Sequence, residues 1–142
     1  RPDGDGVKRA IELALADARV AREQVGLIVA HGNGTRASDA SEAVAIRRVF
    51  GERPPPVTAF KWAFGHLVAA SGILDVVMAL IALRNRVAPG IPTLRALDPE
   101  LAPLPVSSAP QPLSGDIAVL VSRGFGGMNT ALVVRAAAGP FQ

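Results

Sequence analysis

The apolar run from Val25 to Ala30 stops at the motif His31-Gly-Asn-Gly-Thr35. A short run of this kind predicts a buried strand. A second cluster, Lys61-Trp-Ala-Phe-Gly-His66, opens a long apolar stretch and carries the second of the chain's only two histidines. Strand ends and the loops beyond them are where α/β proteins build active sites. The pattern therefore predicts that both histidines lie where one element ends and the next begins.

Strands and helices alternate along the rest of the chain. Hydrophobic periodicity predicts helices over residues 6–21, about 38–50 and about 65–83, and strands over 25–30, 57–60, 116–122 and 130–135. A glycine-rich connection joins the last two strands, which favours an antiparallel pair. The helix over 65–83 is apolar on nearly all sides, so we expect it deep in the core. The alternation predicts an α/β fold: a mixed β-sheet with helices on both faces and one helix deeply buried.

Length and composition indicate one domain with more apolar surface than it can cover. The chain has 142 residues, 49% of them hydrophobic, and a mean hydropathy of +0.32. We interpret residues 1–142 as a single domain, part of whose surface is covered by something absent from the chain. Between Val87 and Pro112 lie seven of the twelve prolines. That density excludes regular helix and predicts an extended segment.

Several classes of protein are disfavoured by composition. The absence of cysteine excludes a disulfide framework and thiolate metal sites, and it suits a cytoplasmic protein. Two histidines with no suitably spaced carboxylates predict no metal site. The net charge of +3 comes from scattered arginines without interleaved aromatics, so we expect no nucleic-acid partner. Asp75, Ser71 and Gly72 interrupt the apolar stretch 67–83, which favours a soluble helix over a membrane span.

The two histidines are the first candidates for chemistry. Two neutral imidazoles that converge can each donate an N–H to one developing oxyanion, and so stabilise an enolate without exchanging a proton. The glycines on either side of Asn33 allow a substrate to approach the backbone there. A lone histidine after a strand is more often structural, and it is the pair, His31 with His66, that indicates function.

Lys61 and Glu42 each have two interpretations. Lys61 follows a predicted strand in an apolar neighbourhood, where it is either exposed or buried with its ammonium donating to His31. Glu42 is then a candidate counter-charge for Lys61. It also stands three residues after Asp39, the spacing of a capping box with Asp as the cap and Glu at the third helical position.

The segment Gly124-Phe-Gly-Gly127 is either a tight turn between two strands or part of a site. In the second case Gly124, Gly126 and Gly127 let a backbone N–H point into the site, and Phe125 acts as an apolar gate. No phosphate-binding glycine motif of the Walker or dinucleotide kind occurs in the chain.

Taken in order, these motifs resemble the C-terminal half of a β-ketoacyl synthase, a fatty-acid-type condensing enzyme of the thiolase-like superfamily. The resemblance runs from Arg1 to about Arg135. It implies a C-terminal thiolase-like domain and an acyltransferase that carries out decarboxylative Claisen condensation of acyl and malonyl thioesters, in fatty acid or polyketide biosynthesis. The family's nucleophile is a cysteine, so we expect the N-terminal half that carries it to be missing and this chain alone to be inactive.

The same resemblance implies roles for the candidate residues. His31 and His66 would hold the enolate oxygen, Lys61 would orient His31, and Glu42 would fix Lys61. The Phe125 N–H would complete an oxyanion hole. Substrate-binding positions would be Thr35 along a phosphopantetheine tunnel, Asn33, and the glycines of the closing loop, Gly124, Gly126 and Gly127. No cofactor is implied, since the substrates travel on the phosphopantetheine of acyl carrier protein.

Acyl carrier protein, the missing half and a second copy of the enzyme are the implied partners. The chain departs from the family's pattern at Asn33, usually threonine, at Arg123, commonly phenylalanine, and at Met128, frequently histidine. Two alternatives stay open: a non-catalytic partner subunit resembling a chain-length factor, and a scaffold of the same fold that only binds acyl carrier protein. The retained His66 argues against the former, because many such subunits lose part of the catalytic set.

Overall fold

A computed structural model of the chain describes residues 2–101 and 104–137. The strands are Val25–Val29 (β1), Val57–Thr58 (β2), Val87–Ala88 (β3), Gln111–Pro112 (β4), Ile117–Arg123 (β5) and Asn129–Arg135 (β6). The α-helices are Asp5–Ala18 (α1), Arg36–Phe50 (α2), Lys61–Phe64 (α3) and Ser71–Asn85 (α4).

Four strands form one mixed sheet in the order β2-β1-β5-β6. β1 runs parallel to β2 and to β5, and β6 runs antiparallel to β5, as the glycine-rich connection predicted. β3 and β4 form a separate antiparallel pair at the ends of the proline-rich segment. Since β1 and β5 are parallel neighbours, their carboxyl ends meet at one edge of the sheet, where His31 follows β1 and Arg123 ends β5.

Helices cover both faces of this sheet. On one face, α1 and α2 pack against residues that include Ile28 and Val119. On the other, α4 packs against Leu27, Val29 and Leu120. Successive strand residues point to opposite faces, so the apolar run of β1 supplies both cores at once. The predicted α/β class is confirmed.

The helix α4, which the sequence predicts to be deeply buried, is buried on one face only. Ala79, Ala82 and Leu83 are buried against the sheet, whereas Ile73, Val77 and Ile81 are 64%, 46% and 48% exposed. These three lie four residues apart and form one apolar stripe. The segment Val68–Asn85, with a mean hydropathy of 1.6, is long and apolar enough to cross a membrane by those two criteria. Its packing on the sheet is that of a core helix.

The helix boundaries differ from the prediction in ways that matter for the site. α2 begins at Arg36, earlier than the predicted start at residue 38 or 39. The long helix begins only at Ser71, after the short helix α3 and a 3₁₀ turn over Val68–Ala70. Gly65 has a φ of +74°, which a continuing helix cannot accommodate. His66 therefore lies in a connection between helices rather than within one.

Candidate active site

The two histidines meet at the edge of the sheet. Their ring centroids are 5.3 Å apart and the ring planes are inclined by 74°. His31 is 3% exposed, while His66 is exposed. Both line an open cavity of about 560 Å³, together with Asn33, Gly124 and Phe125. The structure thus brings together residues that are far apart in sequence, as the motif spacing predicted.

His31 is held as a neutral ring with one defined tautomer. Its Nδ1 accepts the backbone N–H of Arg123 at 3.3 Å, which leaves the proton on Nε2. Burial, and after it the positive charges of Lys61, His66 and Arg123, together lower the pKa of His31 to about 4. At neutral pH the ring is uncharged, with Nε2–H as its donor.

His66 is oriented by contacts within its own connection. Its Nδ1 accepts the backbone N–H of Val68 at 3.0 Å, and the Ser71 hydroxyl lies 3.4 Å from the same nitrogen. Val68 has a φ of +52°, a conformation that β-branched residues rarely adopt. In the neutral ring the proton is again on Nε2. Each imidazole thus has its Nδ1 occupied by a backbone N–H, which leaves Nε2–H as the donor that each can offer to the cavity.

The structure contradicts both interpretations of Glu42 that the sequence left open. Its carboxylate accepts the backbone N–H of His31 at 2.7 Å and that of Gly32 at 3.1 Å. It lies in the second turn of α2, because the helix begins at Arg36, so it is not the third helical residue of a capping box with Asp39. Burial raises the pKa of Glu42 to about 7, and the two N–H donors oppose that rise. Glu42 fixes the backbone that carries His31.

The counter-charge of Lys61 is Asp75, not Glu42. Lys61 Nζ lies 3.2 Å from Asp75 Oδ2, and the two side chains are 7% and 6% exposed. Burial raises the pKa of Asp75, and the Lys61 ammonium opposes that rise. Glu42 is already occupied by backbone donors, whereas Asp75 is on the inward face of α4 beneath Lys61. The described hydrogen bonds join Lys61 to Asp75 and not to His31, so Lys61 affects His31 through its charge.

The glycine-rich loop reverses the chain between β5 and β6. Gly126 and Gly127 have φ values of +70° and +81°, which glycine adopts without strain. Gly124 and Phe125 line the histidine cavity, Gly127 lines a smaller neighbouring one, and Gly126 is in the turn itself. The Phe125 side chain is 97% exposed, so in this chain it closes off no pocket.

Asn33 and Thr35 form one polar turn. Asn33 Oδ1 accepts both the backbone N–H of Thr35 at 3.0 Å and its hydroxyl at 2.9 Å. Asn33 lines the histidine cavity, but Thr35 is exposed and immediately precedes α2. The role of Thr35 along a phosphopantetheine tunnel stays a prediction.

Across the described part of the chain, no cluster of three or more histidine, aspartate or glutamate side chains could hold a metal ion.

Sequence reasoning missed the contributions of Asp75, Arg123 and Ser71. A signal for Asp75 was available, because it is a lone acid in an apolar helix shortly after a lone lysine in an apolar neighbourhood. Two such charges are costly to bury unless they pair. The contact of Ser71 with His66 and the contacts of Arg123 depend on how separate elements meet, for which the sequence carries no local signal.

Comparison with known proteins agrees with this geometry. Residues 1–95 match the family described as β-ketoacyl synthase, C-terminal domain. The chain belongs to the β-ketoacyl synthase family. The ketoacyl synthase beta subunit of tetracenomycin polyketide synthase from Streptomyces glaucescens is 44% identical over 135 residues, which cover 95% of this chain and 32% of that protein. The chain thus spans about a third of the length of such curated relatives.

Solved ketosynthase structures have the same fold. The ishigamide ketosynthase/chain length factor superposes with a TM-score of 0.90 at 34% identity, over 96% of this chain and 34% of the other. A type II polyketide acyl carrier protein in complex with its ketosynthase gives a TM-score of 0.90 at 27% identity, over 96% and 34%. These similarities confirm the thiolase-like α/β fold expected for a β-ketoacyl synthase domain.

Proposed function

We propose that this chain is the enolate-binding part of a β-ketoacyl synthase that condenses acyl and malonyl thioesters. The observation that carries the proposal is the pair of histidines in one cavity, each with Nδ1 occupied by a backbone N–H. Nε2–H groups in this arrangement donate to the thioester oxygen that becomes negative when malonyl loses carbon dioxide. Because neither ring needs to gain or lose a proton, the donors are ready before the substrate arrives.

The other candidate residues support this role indirectly. Glu42 holds the His31 backbone, and the buried Lys61–Asp75 pair lies beneath the segment that carries His66. The Phe125 N–H is our candidate for the oxyanion hole of the acyl-enzyme, and the exposed Phe125 ring is our candidate gate once further chain covers it. The nucleophilic cysteine would come from a preceding half of the protein, since this chain has none.

We further propose acyl carrier protein as the donor of both substrates and a homodimer as the assembly, in the cytoplasm, with no bound cofactor. The comparison with a ketosynthase bound to its acyl carrier protein supports the first of these. The 44% identity with a polyketide synthase subunit favours polyketide over fatty acid biosynthesis.

A non-catalytic partner subunit is the second candidate. It is favoured by the names of two similar proteins, a ketoacyl synthase beta subunit and a ketosynthase/chain length factor. The complete pair of histidine donors in this chain favours the synthase, because a subunit without chemistry has no need of two preset donors.

The test is to incubate the purified full-length gene product with malonyl-acyl carrier protein. A synthase should release carbon dioxide, and mass spectrometry should find an acyl group on a cysteine after incubation with an acyl thioester. His31→Ala should abolish the release of carbon dioxide and spare the acylation of the cysteine. Carbon dioxide release at the buffer rate, together with a residue other than cysteine at the nucleophile position, would establish the partner subunit instead.

A further inference from the structure

The guanidinium of Arg123 connects three separate parts of the site. Its Nη1 lies 2.7 and 3.0 Å from the carbonyl and hydroxyl oxygens of Ser38, and 2.8 Å from the hydroxyl of buried Ser41. Its Nε donates to Asn129 Oδ1 at 3.3 Å. Arg123 is thus fixed to the first turns of α2 and to the start of β6, on the far side of the glycine-rich loop.

The backbone of the same residue contacts His31. The Arg123 N–H is the donor that occupies His31 Nδ1, at 3.3 Å. The direction of this N–H depends on the orientation of the last peptide of β5, beyond which the chain enters the loop. Because the Arg123 side chain is anchored to α2, that peptide has a fixed orientation relative to the histidine.

The acceptors of Arg123 are all uncharged. Among the described ion pairs, none joins Arg123 to a carboxylate. Its charge acts at longer range on the carboxyl groups of Asp39 and Glu42, whose pKa values it lowers against the effect of burial. Arg123 also lines the cavity that holds His31 and His66, and a cation beside a partly enclosed cavity favours negative charge inside it.

We propose that Arg123 is a positioning residue for the enolate site. Its guanidinium holds in place the backbone N–H that sets the His31 tautomer. It also places a positive charge beside the anion to which His31 Nε2–H donates. The inference rests on the function proposed above and adds a residue to it. Arg123 touches His31 and not the reacting atoms. Its effect must therefore appear in the properties of His31 as well as in the rate.

Other charged groups also affect His31 and must be considered when its titration is interpreted. Lys61 and His66 lie on α3 and on the connection after it, and both lower the pKa of His31. From α2, the Glu42 carboxyl lies at the His31 backbone, and Asp39 lies nearby. Substituting Arg123 leaves all four in place, so a change in the titration of His31 reports on the arginine.

The experiment compares Arg123→Met and Arg123→Lys in the full-length gene product, with the exposed Arg9→Met on α1 as a matched control. For Arg123→Met we expect malonyl decarboxylation to fall by about tenfold, less than the roughly 10²–10³-fold that follows loss of a direct oxyanion donor. Acyl loading should be unchanged. ¹⁵N spectra of labelled histidine should show His31, assigned with a His31→Asn variant, losing its Nε2–H signature and titrating at higher pH.

Arg123→Lys should retain the charge but lose the several simultaneous hydrogen bonds, so its effect on the rate should be smaller than that of methionine. Ser41→Ala combined with Arg123→Met should show no further loss, because both disrupt the same anchor. If Arg123→Met does not fold, Arg123→Lys and Ser41→Ala are judged by the same spectra.

A folded Arg123→Met protein with an unchanged His31 spectrum and pH profile would overturn the proposal, whatever its rate. If the wild type does not decarboxylate but Arg123→Met still alters the His31 tautomer, the positioning role stands and the proposed function falls.

Discussion

His31 and His66 have their Nδ1 atoms occupied, and Nε2–H left as donor, by different local means. His31 is buried and takes its backbone partner from a neighbouring strand, whereas His66 is exposed and takes its partner from two residues further along its own connection. Donation by uncharged imidazoles needs no proton transfer, so the roles of both residues can be separated from acid–base steps elsewhere in the reaction.

His66→Ala in the full-length gene product should reduce malonyl decarboxylation by about 10²–10³-fold, because one of two oxyanion donors is removed. Acyl transfer to the cysteine should be spared, since His66 is proposed to act only on the enolate. Carbon dioxide release and acyl-enzyme mass measure the two steps separately. Equal loss of both would contradict the assigned role.

Lys61→Met alone should destabilise the protein by roughly 3–5 kcal/mol, because Asp75 is left as an unpaired buried charge. Lys61→Met combined with Asp75→Leu should recover most of the free energy of unfolding, as measured by urea denaturation. Lys61→Met with Glu42→Gln should not recover it, since Glu42 is bonded to backbone N–H groups instead. Recovery by the second pair and not the first would restore the pairing predicted from sequence.

Glu42→Gln should destabilise the protein by about 1–3 kcal/mol, because the amide places an NH₂ donor against one of the two backbone N–H donors that face the Glu42 oxygens. The pKa of Glu42 is raised from 4.5 to about 7, so its contribution to stability is complete below the lower value and is lost as pH rises through the higher one. The difference between wild type and variant should therefore shrink between these pH values. Exposed Glu52→Gln is the control, and a constant difference would contradict the raised pKa.

At the scale of elements, the close approach of β1 to the chain before β5 depends on two facing glycines, Gly26 and Gly115. A Cβ at Gly26 would lie 2.8 Å from the Cα of Gly115, a backbone atom that cannot move without shifting the start of β5. The pairing of β1 with β5 is irregular at this point, between Val25 and Leu27. The sheet edge that carries His31 therefore depends on a contact at the opposite end of its strand.

Gly26→Ala should lower the urea midpoint of the chain substantially, because the new methyl group meets the backbone of Gly115 just before β5. Gly72→Ala in α4 is the matched control: its added methyl meets no atom of this chain within 4 Å, and a helical alanine is favoured over glycine. The midpoint should stay the same or rise for the control. A tolerated Gly26→Ala would show that the two strands can separate without cost.

Much of the fold could be predicted from the sequence because its signals are local. The buried run of β1, the antiparallel pair β5–β6 and the helices on both faces all follow from periodicity and glycine placement. The prediction of Glu42 as the partner of Lys61 was wrong, although a lone acid in an apolar helix, Asp75, was a local signal for the pair that the structure contains. The start of α4 was predicted too early because the apolar pattern continues through residues 65–70. Gly65 and Val68 have positive φ angles there, which a continuous helix does not allow.

At the scale of the whole molecule, the chain is a sheet with one covered face and one partly covered face. The covered face packs against α1 and α2. The other carries α4, whose outer stripe of Ile73, Val77 and Ile81 remains exposed, with Leu132 of β6 also 49% exposed. Contiguous exposed apolar surface of this kind marks a contact with further protein.

The 142-residue chain alone should therefore self-associate and bind a hydrophobic dye at micromolar concentration. Val77→Lys, at the centre of the stripe, should reduce both, while Leu13→Lys, at an exposed apolar position of α1, should not. Analytical ultracentrifugation and dye fluorescence provide the measurements. A dye-silent monomer would show that the chain is a self-sufficient domain.

The ion pair between Lys61 and Asp75 also acts as a crosslink on the chain. The pair closes a short loop that carries His66 near its middle. The conformational entropy of that loop is therefore restricted at both of its ends rather than by packing along its length. Because the pair is buried, dissolved salt screens it far less than it screens surface charges. The position of His66 relative to α4 should accordingly be indifferent to ionic strength and sensitive to the length of this loop.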